Sequence, residues 1–412
     1  MNESNPGIII GGGIAGLTLA LALHRAGIPV RIFESAKEIR ELGVGLNLLP
    51  HCVKHLVDLG LETDLVNTGV KTRELRFYCK NGKLIWTEPR GLDAGYQVPQ
   101  FSIHRGRFQQ ILLKHVKQRL GEEAVVTDRR LIQFEQSGNE VTARFTDSTG
   151  AGSSFTGNFL VGADGINSTV RLQLYPNQGE PHFANLMLWR AASWSEPFLT
   201  GRTMIMAGHS NQKLVAYPIT PPDDEGKQLI NWIAEYRVPA NTMRQDDWNS
   251  VGNLSEFENQ FESWNFDWLQ TRKLFTSAQE IYKFPMIDRD PVDRWSFGRI
   301  TLAGDAAHAM YPNGSNGASQ AVLDAVSLTK HISEHKDPAS AFSEYELERL
   351  PLTSRLVLEN RKTGPERVLQ MVEDQCKGDC VEQHQCVAYP ELEEVSLAYK
   401  KLAGFDKKSV NQ

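Results

Sequence analysis

The sequence predicts an α/β fold: a parallel-sheet nucleotide-binding core, an inserted β-sheet domain and a C-terminal helical region. Three observations predict it. An apolar run at residues 7–10 leads through the turn Gly11-Gly12-Gly13-Ile14-Ala15-Gly16 into an apolar helix-forming stretch. The middle of the chain changes to short apolar and aromatic runs divided by glycine and proline, which read as strands. The chain then returns to α/β character at Ile300-Thr301-Leu302-Ala303 and continues into a helical pattern over roughly 338–372.

Each element follows from its residues. Positions 7–10 are continuously apolar, as a strand buried on both faces is. The helix expected over 14–26 stops at Gly27, because glycine accepts the left-handed conformation beyond a helix end. Val30-Arg31-Ile32-Phe33 is the next strand and closes at Glu34, which completes a Rossmann-like βαβ unit. Residues 75–78 and 84–86 pair as a hairpin about Asn81-Gly82, a strong turn signal. Further strands are expected at 185–192, 203–207, 213–219 and 229–236. The elements divide the chain into a nucleotide-binding domain in three parts (1–73, 97–180 and 285–337). A β-rich substrate domain occupies 74–96 and 181–284, and helices and a tail fill 338–412.

Composition narrows the function. A chain of 412 residues holds two or three domains at roughly 100–200 residues each. Its 50 acidic and 44 basic residues leave no basic face for a nucleic acid. The first six residues lack the basic region of a signal peptide, and no stretch approaches the ~20 apolar residues that span a bilayer. A cytoplasmic protein, monomeric or homodimeric, is expected. The 5 cysteines argue against a disulfide framework. Cys376, Cys380, His384 and Cys386 cluster, but their spacing matches no common zinc pattern, and they read as reduced thiols on a helix and tail.

Three motifs carry the chemistry. In Gly11-x-Gly13-x-x-Gly16 the first glycine allows a tight turn, the second lets a pyrophosphate approach the backbone, and the third lets helix and strand pack closely. The helix start then faces the phosphates with its partial positive charge. Glu34 stands where a carboxylate accepts from ribose hydroxyls. This motif alone suits NAD and FAD equally. The second motif, Gly304-Asp305-Ala306-Ala307-His308, places an acid at a strand end, where it can bond a polyhydroxyl chain. The loop Pro312-Asn313-Gly314-Ser315-Asn316-Gly317 then opens a helix whose N–H groups can stabilise charge on a flavin pyrimidine. A nicotinamide dinucleotide has no ribityl chain to use this second site, so the pair favours FAD. The third motif is 162–171, from Gly162-Ala163-Asp164-Gly165 to Arg171. By itself it gives only a turn capped by Asp164 and a helix starting at Ser168.

The three motifs in this order resemble the single-component (class A) aromatic-ring flavoprotein monooxygenases, the para-hydroxybenzoate hydroxylase superfamily. The resemblance spans about 8–361. Four stretches are similar to members acting on phenazine carboxylates: Glu38-Ile39-Arg40-Glu41-Leu42-Gly43-Val44-Gly45, Trp86-Thr87-Glu88-Pro89-Arg90-Gly91, Ser102-Ile103-His104-Arg105-Gly106 and 311–320. It implies FAD bound by Gly11, Gly13, Ala15 and Gly16, with Glu34 on the adenosine ribose and Arg40, Gly45 and Arg105 further along the cofactor. Asp164 serves FAD and NAD(P)H, and Asp305 the ribityl or pyrophosphate region. Pro312, Gly314, Ser315, Asn316, Gly317 and Ala318 flank the isoalloxazine. Many members are richer in glycine in this last loop, which leaves the backbone donors open. The absence of a second Gly-x-Gly-x-x-Gly unit fits NADH or NADPH docking transiently, NADH being the favoured of the two.

The implied reaction uses NAD(P)H and O2 to hydroxylate a planar aromatic substrate through a flavin C4a-hydroperoxide. A phenazine- or benzoate-type carboxylic acid is expected, with decarboxylation where the attacked carbon bears the carboxyl group. Trp189, Met204, Met206, Tyr217, Trp232 and Phe284 suit such a ligand, although most must be sheet core. Tyr217 is the polar candidate for orientation or proton relay, with a structural tyrosine as the competing reading. Arg76 or Arg190 can meet a carboxylate through a guanidinium fork, against ordinary ion pairing. His308 reads as a residue that fixes its turn. A halogenase or epoxidase is the rival chemistry, but Trp264-Asn265-Phe266-Asp267-Trp268 does not reproduce the halogenase Trp-x-Trp segment. A flavin-binding sensor without turnover is the rival from outside enzymes.

Overall fold

Five parallel strands order the core sheet as Ile300–Leu302, Leu160–Gly162, Gly7–Ile10, Val30–Phe33 and Val125–Val126. The structure, a computed structural model, describes residues 5–41, 43–240, 250–264, 266–376 and 387–412. The strand Gly7–Ile10 is buried along its whole length because layers cover both faces of the sheet. One layer contains the helices Ile14–Arg25, Arg105–Leu120 and Gly317–Glu334. The other is a three-stranded antiparallel meander, Arg130–Ser137, Glu140–Thr146 and Gly152–Gly157, which the sequence reading does not anticipate. Phe145 of the meander stacks on Phe33 of the core sheet at 4.4 Å.

An eight-stranded sheet stands beside this core. Its order is Ser250–Val251, Tyr282–Asp288, His182–Ser195, Gln228–Arg237, Gln212–Pro218, Thr203–His209, Glu74–Tyr78 and Leu84–Pro89. It contains the expected hairpin, with Gly82 in the left-handed region at φ 84°, and the four further strands. Side chains alternate between its faces. Leu75, Phe77, Leu188, Met204, Met206, Val215 and Tyr217 pack on one side. Trp189, Ala191, Ile205, Ala207, Trp232 and Phe275 pack on the other.

The C-terminal helical pattern is broken where the sequence expects it to run on to 372. The helix Pro338–Arg361 ends, Thr363 and Gly364 adopt φ 74° and 53°, and Pro365 follows. Proline has no N–H to continue the ladder. A new helix, Arg367–Cys376, starts after Glu366. Cys79 and Cys376 each take part in a disulfide, which corrects the expectation of a reduced thiol at Cys376; Cys52 is a buried free thiol. Cys380, His384 and Cys386 lie outside the described residues. Among the described residues no helix is long and apolar enough to cross a membrane.

Candidate active site

A cleft of about 540 Å³ opens at the C-terminal ends of the core strands, lined by Gly11, Gly13, Glu34, Arg40, Arg105 and Asp164 among others. The glycine turn has the shape the motif predicts. Gly11 sits at φ 106°, and a Cβ there would lie 2.4 Å from the carbonyl of Ala163. A Cβ on Gly16 would lie 2.0 Å from the carbonyl of Gly11, so this glycine is where helix and strand touch; it lines neither cavity. A Cβ on Gly13 would meet nothing within 4 Å, so this face of the backbone is open to a ligand. Gly13 also caps the helix Ile14–Arg25 with no side-chain partner for the first N–H groups, the state in which a helix start receives an anion.

One carboxylate braces this turn and a second braces the neighbouring turn after Gly162. Glu34 accepts from the backbone N–H of Gly12 and of Ala36, each at 2.7 Å. Asp164 accepts from the hydroxyl of Ser168 at 2.5 Å and from the N–H of Thr169 at 2.7 Å. Burial raises the Asp164 pKa despite these bonds. Arg40 is exposed at the rim and pairs with Glu38 at 2.9 Å.

The cleft runs on into a second cavity of about 340 Å³; Gly13, Arg105, Ala163 and Gly165 line both. One wall comes from the core: Ala15, Gly45, Asp305, Pro312, Ser315, Asn316, Gly317 and Ala318. Asp305 is exposed to this space. Its turn is held from behind, where buried Asp324 accepts from the N–H of Gly304 at 2.8 Å and pairs with His308 at 2.6 Å and Arg349 at 2.9 Å. Burial pulls the pKa of Arg105 down, and the charge of Asp305 opposes that. Asn316 caps the helix Gly317–Glu334 without a side-chain hydrogen bond, so a second helix start is free at this end. Gly314 faces a small neighbouring pocket instead, and its N–H donates to Glu366 at 3.3 Å.

The other wall is the large sheet: Leu188, Arg190, Met204, Met206, Lys213, Val215, Tyr217, Ile233 and Glu235. Two expected substrate contacts are therefore corrected. Trp189 and Arg76 follow the two-residue alternation to the far face. Trp189 stacks on Tyr236 at 4.7 Å, and Arg76 pairs with Glu74 at 2.8 Å. Arg190 remains, donating to the carbonyl of Gly45 at 3.0 Å. Its Nε is buried with no partner, and among the described residues no carboxylate pairs with it. Burial raises Tyr217 to about 12, and the neighbouring Arg190 charge partly offsets this.

A buried ion cluster was not anticipated. Lys213 pairs with Glu235 at 3.2 Å and closely with Glu366. Lys213 and Glu235 are register partners on adjacent strands, a signal available once the strands are paired. Glu366 arrives from beyond the Gly364 break and carried no local signal.

These features fit FAD: a bare glycine backbone, two uncapped helix starts along one continuous cleft, and a carboxylate exposed between them. Comparison with known proteins agrees. The family model described as "FAD binding domain" matches residues 5–360. The chain belongs to this family. It is 44% identical over 360 residues to phenazine 1,6-dicarboxylic acid hydroxylase PhzS of Lysobacter antibioticus, covering 86% of this chain and 88% of that one. It is 30% identical to aurachin C monooxygenase/isomerase of Stigmatella aurantiaca, covering 87% and 88%. Klebsiella pneumoniae HpxO, solved with FAD and uric acid, shares the fold with a TM-score of 0.76 at 21% identity, over 100% of this chain and 97% of that one. The chain is a FAD-dependent aromatic monooxygenase, of a family in which NAD(P)H is the typical co-substrate.

Proposed function

We propose that the enzyme hydroxylates a planar aromatic carboxylic acid and that Arg190 holds the carboxylate. The observation that carries this reading is the guanidinium itself. It borders the cavity, its Nε has no partner, and no carboxylate of the described residues pairs with it. A buried charge without a counter-ion is costly, and a ligand carboxylate would remove that cost through a charge-assisted pair. Leu188, Met204, Met206, Val215 and Ile233 offer an apolar wall for the ring. Tyr217 stays protonated at neutral pH, so its role is to donate a hydrogen bond to a polar ring substituent rather than to act as a base. A phenazine-type acid is favoured by the identity to the Lysobacter hydroxylase, with benzoate-type acids second. One oxygen atom enters the ring, and carbon dioxide leaves where the attacked carbon bears the carboxyl group.

When bound, FAD supplies the redox and oxygen chemistry. This chain's residues position it. The backbone at Gly11 and Gly13 and the helix start after Gly13 hold the pyrophosphate, and Gly16 and Ala15 keep that backbone close. Glu34 takes the adenosine ribose, with Arg40 at the rim, while Arg105 and Asp305 flank the ribityl region. Gly45, Pro312 and residues 315–318 shape the space for the flavin ring, and Asp164 fixes the turn that closes the cleft.

Anaerobic stopped-flow mixing of the flavin-loaded enzyme with NADH or NADPH tests the reading. Flavin bleaching should accelerate with a phenazine or benzoate carboxylic acid and not with the corresponding neutral amide. Equal rates with every acid and without any would sink it.

A further inference from the structure

The helix Gly317–Glu334 begins at the cavity and ends, about 27 Å away at 1.5 Å per residue, in a cluster that the oxidation chemistry does not use. His331, Glu334 and His335 follow one another at i, i+3 and i+4, which puts them on one face. One ligand atom from each lies within 4.8 Å of the other two.

The hydrogen bonds of both histidines leave a lone pair for this cluster. His331 is buried, and its Nε2 pairs with the carboxylate of Glu348 at 2.9 Å. With the proton on Nε2, Nδ1 carries the lone pair. That Nδ1 is buried, has no hydrogen-bond partner, and lies 3.8 Å from Glu334. His335 uses Nδ1 to donate to the carbonyl of His331 at 3.0 Å, which leaves Nε2 as its lone pair. A ring N–H given to a carboxylate or a backbone carbonyl, with the opposite nitrogen free, is how metal-binding histidines are oriented. The position at a helix C-terminus also favours a cation.

We propose that His331 Nδ1, His335 Nε2 and a Glu334 carboxylate oxygen bind a divalent transition ion of the zinc class, with water completing the shell. Two imidazoles select zinc-like ions over magnesium or calcium. Metal–nitrogen bonds of about 2.0–2.1 Å require the ligand atoms to close to roughly 3.4 Å from one another. The exposed Glu334 and the half-buried His335 supply that movement, while His331 stays fixed. Through Glu348 the ion would also tie this helix to its neighbour Pro338–Arg361. The site is too far from the cavity to take part in hydroxylation.

The test is zinc binding by tag-free, FAD-loaded enzyme after chelator dialysis, read by equilibrium dialysis and metal analysis. One equivalent should bind and be lost in His335→Ala, whose side chain lies near the surface. Glu348→Gln should weaken binding about 10–100-fold. Flavin occupancy and turnover should not change in either variant. Failure of the wild type to retain zinc would overturn the proposal, as would retention in His335→Ala equal to wild type, which would put the ion elsewhere in the chain.

Discussion

Lys213 and Arg190 line the same cavity from the same face of one sheet, separated by the single strand Gln228–Arg237, yet their charges are treated oppositely. Burial would lower Lys213, but Glu235 and Glu366 outweigh it and hold the ammonium well above its usual range. Arg190 is pulled down by burial and by the charge of Arg105, with only Tyr217 to offset them. The comparison separates two uses of a buried cation. Lys213 is satisfied inside the chain and ties the substrate wall, through Glu366, to the N–H of Gly314 in the loop that flanks the cofactor space. Arg190 has no carboxylate partner among the described residues, and on the proposed reading it is left for a ligand.

Substitutions can break this distinction. The largest effect is expected from Lys213→Met, which strands two buried carboxylates and should cost about 3–5 kcal/mol. Denaturant melts of the flavin-loaded protein would measure it, and a loss below ~1 kcal/mol would mean the cluster is solvated and the contrast false. Arg190→Met should leave the fold nearly as stable but weaken binding of an aromatic acid by about 2–5 kcal/mol, while a neutral analogue loses little. Equilibrium titration of the flavin absorbance with both ligands reads the difference. Undiminished acid affinity would reassign the carboxylate site.

Asp305→Ala tests the cofactor wall, where a lost hydrogen bond to a charged group should cost about 1.5–3 kcal/mol of FAD affinity. Flavin retained after exhaustive dialysis, read from absorbance, would reveal that loss; full retention would remove Asp305 from the cofactor contacts.

Tyr217→Phe should have the smallest effect near neutral pH, chiefly a shift from product towards peroxide, and unchanged coupling would remove Tyr217 from the site. The clearer signature is alkaline. A folded-state pKa raised to about 12 from 10.0 gives stability that is complete below pH 10 and lost as pH rises through 12. The wild type should therefore lose more stability than Tyr217→Phe across that window in pH-dependent melts.

Much of the cofactor wall was legible because local backbone geometry dictates its residues. Gly11, Gly13 and Gly16 lie within one turn, and each is required there by a contact or by an open face that spacing alone reveals. The Asp164 turn and the Ser168 helix start are likewise short-range, with Ser168 accepting from the N–H of Arg171 at 2.9 Å. The substrate wall was legible only by class. Aromatic and basic residues marked the strands, but adjacent candidates such as Trp189 and Arg190 point to opposite faces. Only the register against Ala234 and Ile233 and the layers on each side decide which one meets the cavity.

By itself, then, the amino-acid sequence determined the α/β order, the glycine turn, the second acid-bearing turn at Asp305 and the membership that their succession implies. Those features depend on residues a few positions apart, where steric rules and hydrogen bonding act directly. Tertiary structure alone decided that Glu366 reaches Lys213 across 153 positions, that no carboxylate among the described residues pairs with Arg190, and that His331 is braced by Glu348. A charge's partner depends on which surfaces the fold presses together, and no local pattern records that choice.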